Sequence, residues 1–240
     1  MALKGEAQGL IAACQGKGCP VCALTAQEMD RYFDHMLYMR VNELELRADI
    51  RAAWGFCTRH AHKLIRPAGA VGTAIIYHDV LTNLLHALDG AQWGEGSGLL
   101  RLRRGDGAGA LLADLAPAQP CPACEHQSAT ERAYVRALVK YLGTEREPEL
   151  VAAYEQSDAL CWRHLRAALA VVRHADTFAR LMHVQRAAWR RLSAELAEFI
   201  RKNDHRFQRE EMGTEGDSWQ RVIQQVAGLL DVGGVEDRDL

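Results

Sequence analysis

Apolar residues recur every three or four positions along most of this chain, which is the spacing of one face of an α-helix. In the first half this spacing predicts an amphipathic helix over residues 23 to 41. A capping box, Asn42-x-x-Glu45, predicts the start of a second helix, and Cys57 opens a third. A fourth apolar stripe ends at Gly90. The first half is therefore predicted to be a string of helices.

The second half repeats this order of helices. Pro148 suits the first position of its second helix, and Cys161 opens the third. A long helix with one apolar face extends from about Leu181 to Ile200, and Asp217-Ser218 is predicted to cap a last helix. We therefore predict an all-α fold, a tandem helical repeat with two pseudo-equivalent halves.

Changes in composition divide the chain into five segments. Residues 94 to 120 are rich in glycine, which favours a linker over the alternative, a small hairpin of Leu99–Leu102 and Leu111–Leu115 around Gly105-Asp106-Gly107. Residues 233 to 240 are expected to fray. The predicted segments are an N-terminal segment over 1–18, a first helical repeat over 19–93, the linker over 94–120, a second helical repeat over 121–210, and a C-terminal helix and tail over 211–240.

The composition is that of a soluble globular protein, with 48% hydrophobic and 25% charged residues. A net charge of −2 gives the chain no overall attraction to nucleic acid or to an anionic membrane. No apolar run approaches the roughly 18 residues of a membrane-spanning helix. Lys4, Glu6 and Gln8 interrupt the stretch that a secretory signal would need. We therefore expect a cytoplasmic protein with no membrane partner, in a compartment where paired cysteines are seldom structural disulfides.

Cysteine and histidine occur in a pattern that is present twice. Cys19-Pro-Val-Cys22 is followed by Cys57-Thr-Arg-His60, and Cys121-Pro-Ala-Cys124 is followed by Cys161-Trp-Arg-His164. Corresponding positions lie 102 residues apart for the CPxC motifs and 104 apart for the CxxH motifs, and six of the seven cysteines belong to the pattern. The remaining one, Cys14, is expected to be a spare thiol in a mobile N-terminal segment. The duplication predicts an internally repeated metal-binding protein.

The spacing of these residues suits a tetrahedral zinc site. A CPxC turn directs two sulfurs to one point, and a CxxH at a helix start places both side chains on one face. A helical hairpin within each repeat would bring its two motifs together, and four protein donors leave no open position, so the predicted zinc is structural. Two Zn2+ per chain are predicted, one bound by Cys19, Cys22, Cys57 and His60, and the other by Cys121, Cys124, Cys161 and His164.

Three other interpretations of the cysteines remain open. CPxC also occurs in glutaredoxin-like oxidoreductases, but there it belongs to a βαβ setting that this chain lacks. An iron–sulfur cluster can use three cysteines and one histidine, and Cys14, Cys19 and Cys22 have a ferredoxin-like spacing. The second repeat has Ala116 where Cys14 would align. The cysteines could also be buried without a ligand.

Catalytic motifs are absent from the sequence, so we favour a protein that is not an enzyme and assign no catalytic residue. There is no P-loop, no Rossmann glycine pattern and no Glu-x-x-His pair. The predicted function is a zinc-binding interaction or adaptor module with an unidentified protein partner. The alternatives are a redox-responsive protein and a nucleic-acid-binding regulator that uses the basic C-terminal helix, which contains Arg190, Arg191 and Arg201.

The chain resembles an uncharacterised family of bacterial proteins, a domain of unknown function. That family has a duplicated CPxC…CxxH pattern and a C-terminal stretch similar to Glu198-Phe-Ile-Arg-Lys-Asn-Asp-His-Arg-Phe207. The resemblance extends from Cys19 to about Gly228, through Glu215-Gly-Asp-Ser-Trp219, and is weakest in the Gly-rich linker. It implies a bacterial, cytoplasmic, helical protein with two metal sites. It implies no activity, substrate or partner.

Overall fold

The computed structural model describes residues 2–91, 108–143, 147–207, 209–230 and 232. Every regular element in this part of the chain is helical, and no strand occurs in it. The prediction of an all-α fold is therefore confirmed for the described residues. None of the described helices has both the length and the apolar character that are needed to cross a membrane.

Eleven α-helices follow one another in the described ranges. They are α1 (Ala2–Gln15), α2 (Pro20–His35), α3 (Leu44–Ala52), α4 (Thr58–His62), α5 (Ala70–Asp89), α6 (Gly109–Asp114), α7 (Pro122–Leu142), α8 (Pro148–Gln156), α9 (Trp162–Val171), α10 (Ala175–Lys202) and α11 (Ser218–Ala227). A π-helical turn, Met36–Arg40, continues α2, and short 3-10 helices occupy Pro67–Gly69 and Thr214–Asp217.

The chain divides into two compact units. The discontinuous unit consists of Met1–Glu28 and Gln127–Leu240, and the central unit consists of Met29–His126. Both boundaries fall inside a helix, one within α2 and the other within α7. The five predicted segments stay a prediction, because this division follows packing and not sequence repetition.

The core of the discontinuous unit includes a helix that the sequence did not predict. Helix α1 packs against α8, with Leu10 completely buried in a core that also contains Leu150 and Tyr154. Cys14 lies on α1 and is buried in the same core. Burial, with a smaller effect of the neighbouring Cys19, raises the pKa of the Cys14 thiol to about 12. The expectation that Cys14 belongs to a mobile segment was wrong.

The core of the central unit forms where α3 and the π-helical turn pack against α5. Phe33, Ile50 and Ile76 are almost completely buried there. A Cβ atom at Gly72 would lie only 2.7 Å from the carbonyl oxygen of Leu37. Glycine at this position therefore allows α5 to approach the π-helical turn closely.

Several local predictions can be compared with these helices. Pro148 is the first residue of α8, as predicted. The capping box was wrong, because Glu43, not Asn42, precedes α3 and no side chain caps the helix. In the linker, Gly109–Asp114 is helical, which contradicts the second strand of the alternative hairpin. The other strand, Leu99–Leu102, and the tail, Gly233–Leu240, lie outside the described residues.

Candidate metal centres

The structure gathers the eight predicted ligands into two groups that can each hold a metal ion. Within each group, all ligand atoms lie within 4.8 Å of one another. We call the group in the discontinuous unit cluster A; its members are Cys19, Cys22, Cys161 and His164. We call the group in the central unit cluster B; its members are Cys57, His60, Cys121 and Cys124.

The predicted grouping of the ligands was wrong, because each cluster combines motifs from both repeats. Cluster A joins the first CPxC to the second CxxH, and cluster B joins the first CxxH to the second CPxC. The reason is the length of the helices. The 16 residues of α2 advance the chain by about 24 Å, whereas the 9 residues of α3 return it by only about 14 Å. Since α7 and α8 have the same inequality, a CxxH turn does not reach the CPxC turn of its own repeat.

In cluster A, one histidine nitrogen faces three sulfurs. The Nδ1 atom of His164 lies 3.4 Å from the Sγ atom of Cys19, 3.4 Å from that of Cys22 and 3.3 Å from that of Cys161. The sulfurs of Cys22 and Cys161 are 3.7 Å apart. All four side chains are buried.

Cluster B has the same internal geometry. The Nδ1 atom of His60 lies 3.4 Å from the sulfur of Cys57, 3.7 Å from that of Cys121 and 3.3 Å from that of Cys124. The sulfurs of Cys57 and Cys124 are 3.6 Å apart. His60 is buried, but the three cysteines are partly exposed.

These distances fit the edges of a zinc tetrahedron. Zn–S bonds of about 2.3 Å and Zn–N bonds of about 2.0–2.1 Å place two sulfurs about 3.8 Å apart and a sulfur and a nitrogen about 3.6 Å apart. The observed sulfur–sulfur distances are 3.6 and 3.7 Å, and the sulfur–nitrogen distances range from 3.3 to 3.7 Å. Both donor sets therefore fit a single tetrahedral ion.

Helix starts present the ligands in both clusters. Cys57 and Cys161 each precede a helix with extended backbone angles, φ −60° and ψ 160° for the first and φ −67° and ψ 161° for the second. Their carbonyl groups accept the first helical hydrogen bonds, from Ala61 and Leu165, at 2.8 Å. Each CPxC motif has its proline as the first residue of a helix, at Pro20 and Pro122. Because its ring fixes φ, proline favours the start of a helix directly after a ligand.

Comparison with known proteins supports the sequence resemblance. Residues 12–232 match a family described as "Family of unknown function (DUF6062)". The chain belongs to this family. It is also 29% identical over 188 residues to a protein of Caldicellulosiruptor sp. (strain Rt8B.4) named "Uncharacterized 23.9 kDa protein in xynA 3'region", with 78% of this chain and 83% of that protein covered. No solved structure matches.

Three polar residues of this DUF6062 chain lie behind the histidine of cluster A. The Nε2 atom of His164 lies 3.6 Å from Oε2 of Glu131, a buried carboxylate. Glu131 forms an ion pair with Arg163 and accepts a hydrogen bond of 2.7 Å from Gln127. A carboxylate in this position orients a metal-binding imidazole and increases its basicity. Burial lowers the pKa of His164, but hydrogen bonds with Cys161, Cys19 and Cys22 outweigh burial and raise it well above its usual value.

The backbone after α11 covers cluster A. Gly228 ends this helix with φ 83° and ψ −177°, a conformation that is essentially restricted to glycine. A Cβ atom at Gly228 would lie 3.9 Å from the sulfur of Cys22 and 4.0 Å from that of Cys161. Val232, a few residues further, is buried in the same core. The C-terminal part of the DUF6062 chain thus closes the site.

Cluster B has different surroundings. The position that corresponds to Glu131 at the repeat offset of 102 residues is Met29, which is completely buried. The ring of Phe33 lies 5.9 Å from the ring of His60. A hydrogen bond with Cys124 lowers the pKa of the Cys121 thiol, and the same interaction raises the pKa of Cys124.

Sequence reasoning missed Glu131 and Gln127, although the sequence contains a signal for them. Gln127, Glu131, Val135, Leu138 and Leu142 follow one another at intervals of three or four residues along α7, so they share one face. Two polar residues on an otherwise apolar stripe indicate a buried hydrogen-bonding group. The sequence also has Met29 at the position 102 residues before Glu131, so the carboxylate occurs at only one of the two corresponding positions.

Proposed function

We propose that this DUF6062 protein binds two structural Zn2+ ions, one in each cluster, and serves as a helical interaction module for a protein partner. The observation that supports zinc is the spacing of the donors, which is close to the edges of a Cys3His tetrahedron around one ion. A metal with four protein donors has no open position for substrate or water, so its role is structural and not catalytic.

The metal stabilises the fold by joining distant parts of the chain. In cluster A the ligands of the CPxC motif lie 139 to 145 residues before those of the CxxH motif. In cluster B the two motifs are separated by 61 to 67 residues. A structural zinc contributes about 10–16 kcal/mol of binding free energy, which is comparable with the total stability of a domain, about 5–15 kcal/mol. Each unit is therefore expected to depend on its own ion for folding.

A mononuclear ion explains the geometry better than an iron–sulfur cluster. In a [4Fe–4S] cluster each protein ligand binds a different iron, and in a [2Fe–2S] cluster the four ligands are divided between two irons, so the four ligands do not converge on one point. Here the sulfurs of Cys22 and Cys161 are 3.7 Å apart and converge on one imidazole nitrogen. Three thiolates and one imidazole are a frequent donor set for structural zinc.

The surface of α11 supports a role in protein interaction. Trp219, Ile223 and Val226 lie on this helix and are exposed, whereas its polar residues Ser218 and Gln225 are buried. Gln225 is held by hydrogen bonds from Trp189 and to the carbonyl of Asp158. Contiguous exposed apolar side chains on one helix are typical of a protein interaction surface.

Partial exposure of cluster B favours a second candidate function, a redox-responsive protein. Cys57, Cys121 and Cys124 are partly exposed, and exposed thiolates are the ones that oxidants reach. Oxidation of two of them to a disulfide would release the zinc of cluster B. The three cysteines of cluster A are buried, so oxidants have no comparable access to them.

Ion pairs neutralise part of the basic C-terminal stretch, which gives the nucleic-acid alternative little support. Arg201 pairs with Glu198 and Glu210, and Lys202 pairs with Glu215 at 2.7 Å. The hydrogen bond from Lys202 also lowers the pKa of Glu215 to about 2. Less positive charge is thus available for phosphate contacts.

Elemental analysis of the protein purified without added metal tests the proposal. We expect about two zinc and negligible iron per chain, and unfolding on exhaustive chelation, followed by circular dichroism. A protein that stays fully folded without metal would contradict the structural role. Iron in place of zinc, with visible absorbance, would favour the iron–sulfur alternative.

A further inference from the structure

A cavity of about 240 Å³ opens beside cluster A, between α7 and α9. Its wall is mainly apolar and includes Val135, Ala167 and Val171. The side chains of Glu131 and His164 form its polar end. The cavity lies within the discontinuous unit, and the proposed role of the zinc does not use it.

The polar end of the cavity carries no free negative charge. Glu131 is buried, and its two oxygens interact with Arg163 and with Gln127. With Nδ1 facing the sulfurs, the Nε2 atom of His164 lies on the side of Glu131. The carboxylate is therefore already neutralised by neighbours and does not repel an anion strongly.

The rim of the cavity is positively charged. Arg132 and Arg136 both border it, one turn apart on α7, and both are exposed. Neither guanidinium forms an ion pair or a hydrogen bond with another residue in the described part of the chain. Arg173 donates hydrogen bonds to the carbonyls of Ala170 and Val172 at the end of α9. Two of the carbonyl groups that would otherwise disfavour an anion at this end of α9 thus already accept hydrogen bonds from a cation.

We propose that this cavity binds a small carboxylate with a short hydrocarbon body. The apolar wall would cover the hydrocarbon, and the guanidinium groups of Arg132 and Arg136 would bind the carboxylate, a geometry for which arginine is well suited. A volume of about 240 Å³ is many times the space that one water molecule needs, so the cavity has room for a ligand of several non-hydrogen atoms. Hexanoate, a carboxylate with a short hydrocarbon chain, serves as the probe.

A titration of the zinc-loaded, 15N-labelled full chain with hexanoate tests the proposal, with hexylammonium and 1-hexanol as matched ligands of the opposite and of zero charge. We expect hexanoate to shift the amide signals of Ala167, Ala170 and Val171 at millimolar concentration or below. The other two ligands should bind at least about fivefold more weakly, the effect of one exposed charge contact of about 1 kcal/mol. Equal binding of the three ligands, or no binding of hexanoate, would overturn the proposal.

Two variants locate the site, each with a matched control on α10. Ala170→Phe fills the cavity from its edge and should abolish the hexanoate shifts, whereas Ala187→Phe, at an exposed position of α10, should preserve them. The pair Arg132→Gln and Arg136→Gln should weaken binding about tenfold, and the equally spaced pair Arg186→Gln and Arg190→Gln should not. Zinc content reports that each variant is folded. Unchanged binding in zinc-loaded Ala170→Phe would place hexanoate elsewhere and refute the site.

Discussion

The two clusters have the same donors and the same internal distances but different environments. Cluster A is buried: its cysteine residues are at most 5% exposed, and the backbone at Gly228 covers two of them. A buried carboxylate lies behind its histidine. Cluster B has three partly exposed cysteines and a methionine in place of the carboxylate. The two clusters thus share their donor set and differ in what surrounds it.

This difference separates two properties of a structural metal site. The donor set determines which ion fits, and it is the same in both clusters. The surroundings determine how readily that ion leaves, because solvent access and groups that orient the ligands control exchange and affinity. We therefore expect both sites to bind zinc and cluster B to release it first.

The largest effect, on zinc content, is expected from removing ligands in pairs. These pairs test whether each cluster combines a CPxC motif from one repeat with a CxxH motif from the other. Cys22→Ser with Cys161→Ser removes two ligands of cluster A only, so about one zinc per chain should remain. Cys22→Ser with Cys57→Ser damages both clusters, so little zinc should remain. Elemental analysis measures the difference. Cys14→Ala, which removes a buried thiol outside both clusters, is the control and should retain both ions. If Cys22→Ser with Cys57→Ser kept about one zinc and Cys22→Ser with Cys161→Ser kept little, each zinc would instead be bound by the two motifs of one repeat.

The stabilities of variants that lose one cluster show whether both units need their zinc for folding. Loss of one structural zinc removes a contribution of about 10–16 kcal/mol, so each variant should lose cooperative folding of its own unit. Thermal unfolding by circular dichroism should therefore show a lost transition in both Cys161→Ser and Cys57→Ser. If Cys57→Ser kept its full unfolding transition, cluster B would not be needed for folding.

The sequence predicted which residues are the candidate ligands but not which of them share a cluster. The repeated CPxC and CxxH motifs identify all eight residues that the structure gathers, because motif spacing is a local property of a helix start. The grouping depends on how far α2 carries the chain compared with α3, and the sequence pattern gave only approximate ends for those helices. The position of Glu131 on the apolar stripe of α7 indicates burial. It does not indicate that the carboxylate faces His164, because that contact depends on the grouping of the ligands. The fold class follows from apolar periodicity, whereas α1 was missed because Cys14 was taken as part of a loose segment.

A third prediction concerns the carboxylate that lies behind the histidine of cluster A. Glu131→Gln keeps the size of the side chain and removes its charge, so His164 loses an anionic partner at Nε2. Zinc affinity of cluster A should fall about 10–100-fold, the usual effect of losing such a partner. Competition with a chromophoric chelator, performed in a Cys57→Ser background if that protein folds and otherwise by two-site fitting, gives the value. Met29→Leu, at the corresponding position in the core of the central unit, is the control and should leave both affinities unchanged.

The order of zinc release gives a fourth prediction. Because the cysteines of cluster B are partly exposed and those of cluster A are buried, a chelator should remove zinc in two phases. We expect the faster phase to be at least about tenfold faster, equivalent to a barrier about 1.4 kcal/mol lower, and to belong to cluster B. Mass spectrometry after brief alkylation should find label on Cys57, Cys121 and Cys124 first. Equal labelling of Cys19 and Cys161 would show that burial does not protect cluster A.

The smallest effect is expected where the backbone covers cluster A. Gly228 has φ 83° and ψ −177°, so Gly228→Ala should cost about 1–3 kcal/mol of strain. Its Cβ would be in ordinary van der Waals contact with the sulfurs of Cys22 and Cys161, at 3.9 and 4.0 Å, so it would clash with neither ligand. That strain should loosen the segment over Cys22 and Cys161 and speed zinc release from cluster A several-fold, while release from cluster B keeps its rate. Gly90→Ala, at a helix end with an ordinary φ of −80°, is the matched control. If the slow phase were unchanged in Gly228→Ala, the protection of cluster A would come from Glu131 and the surrounding core, since the C-terminal backbone would then contribute nothing to it.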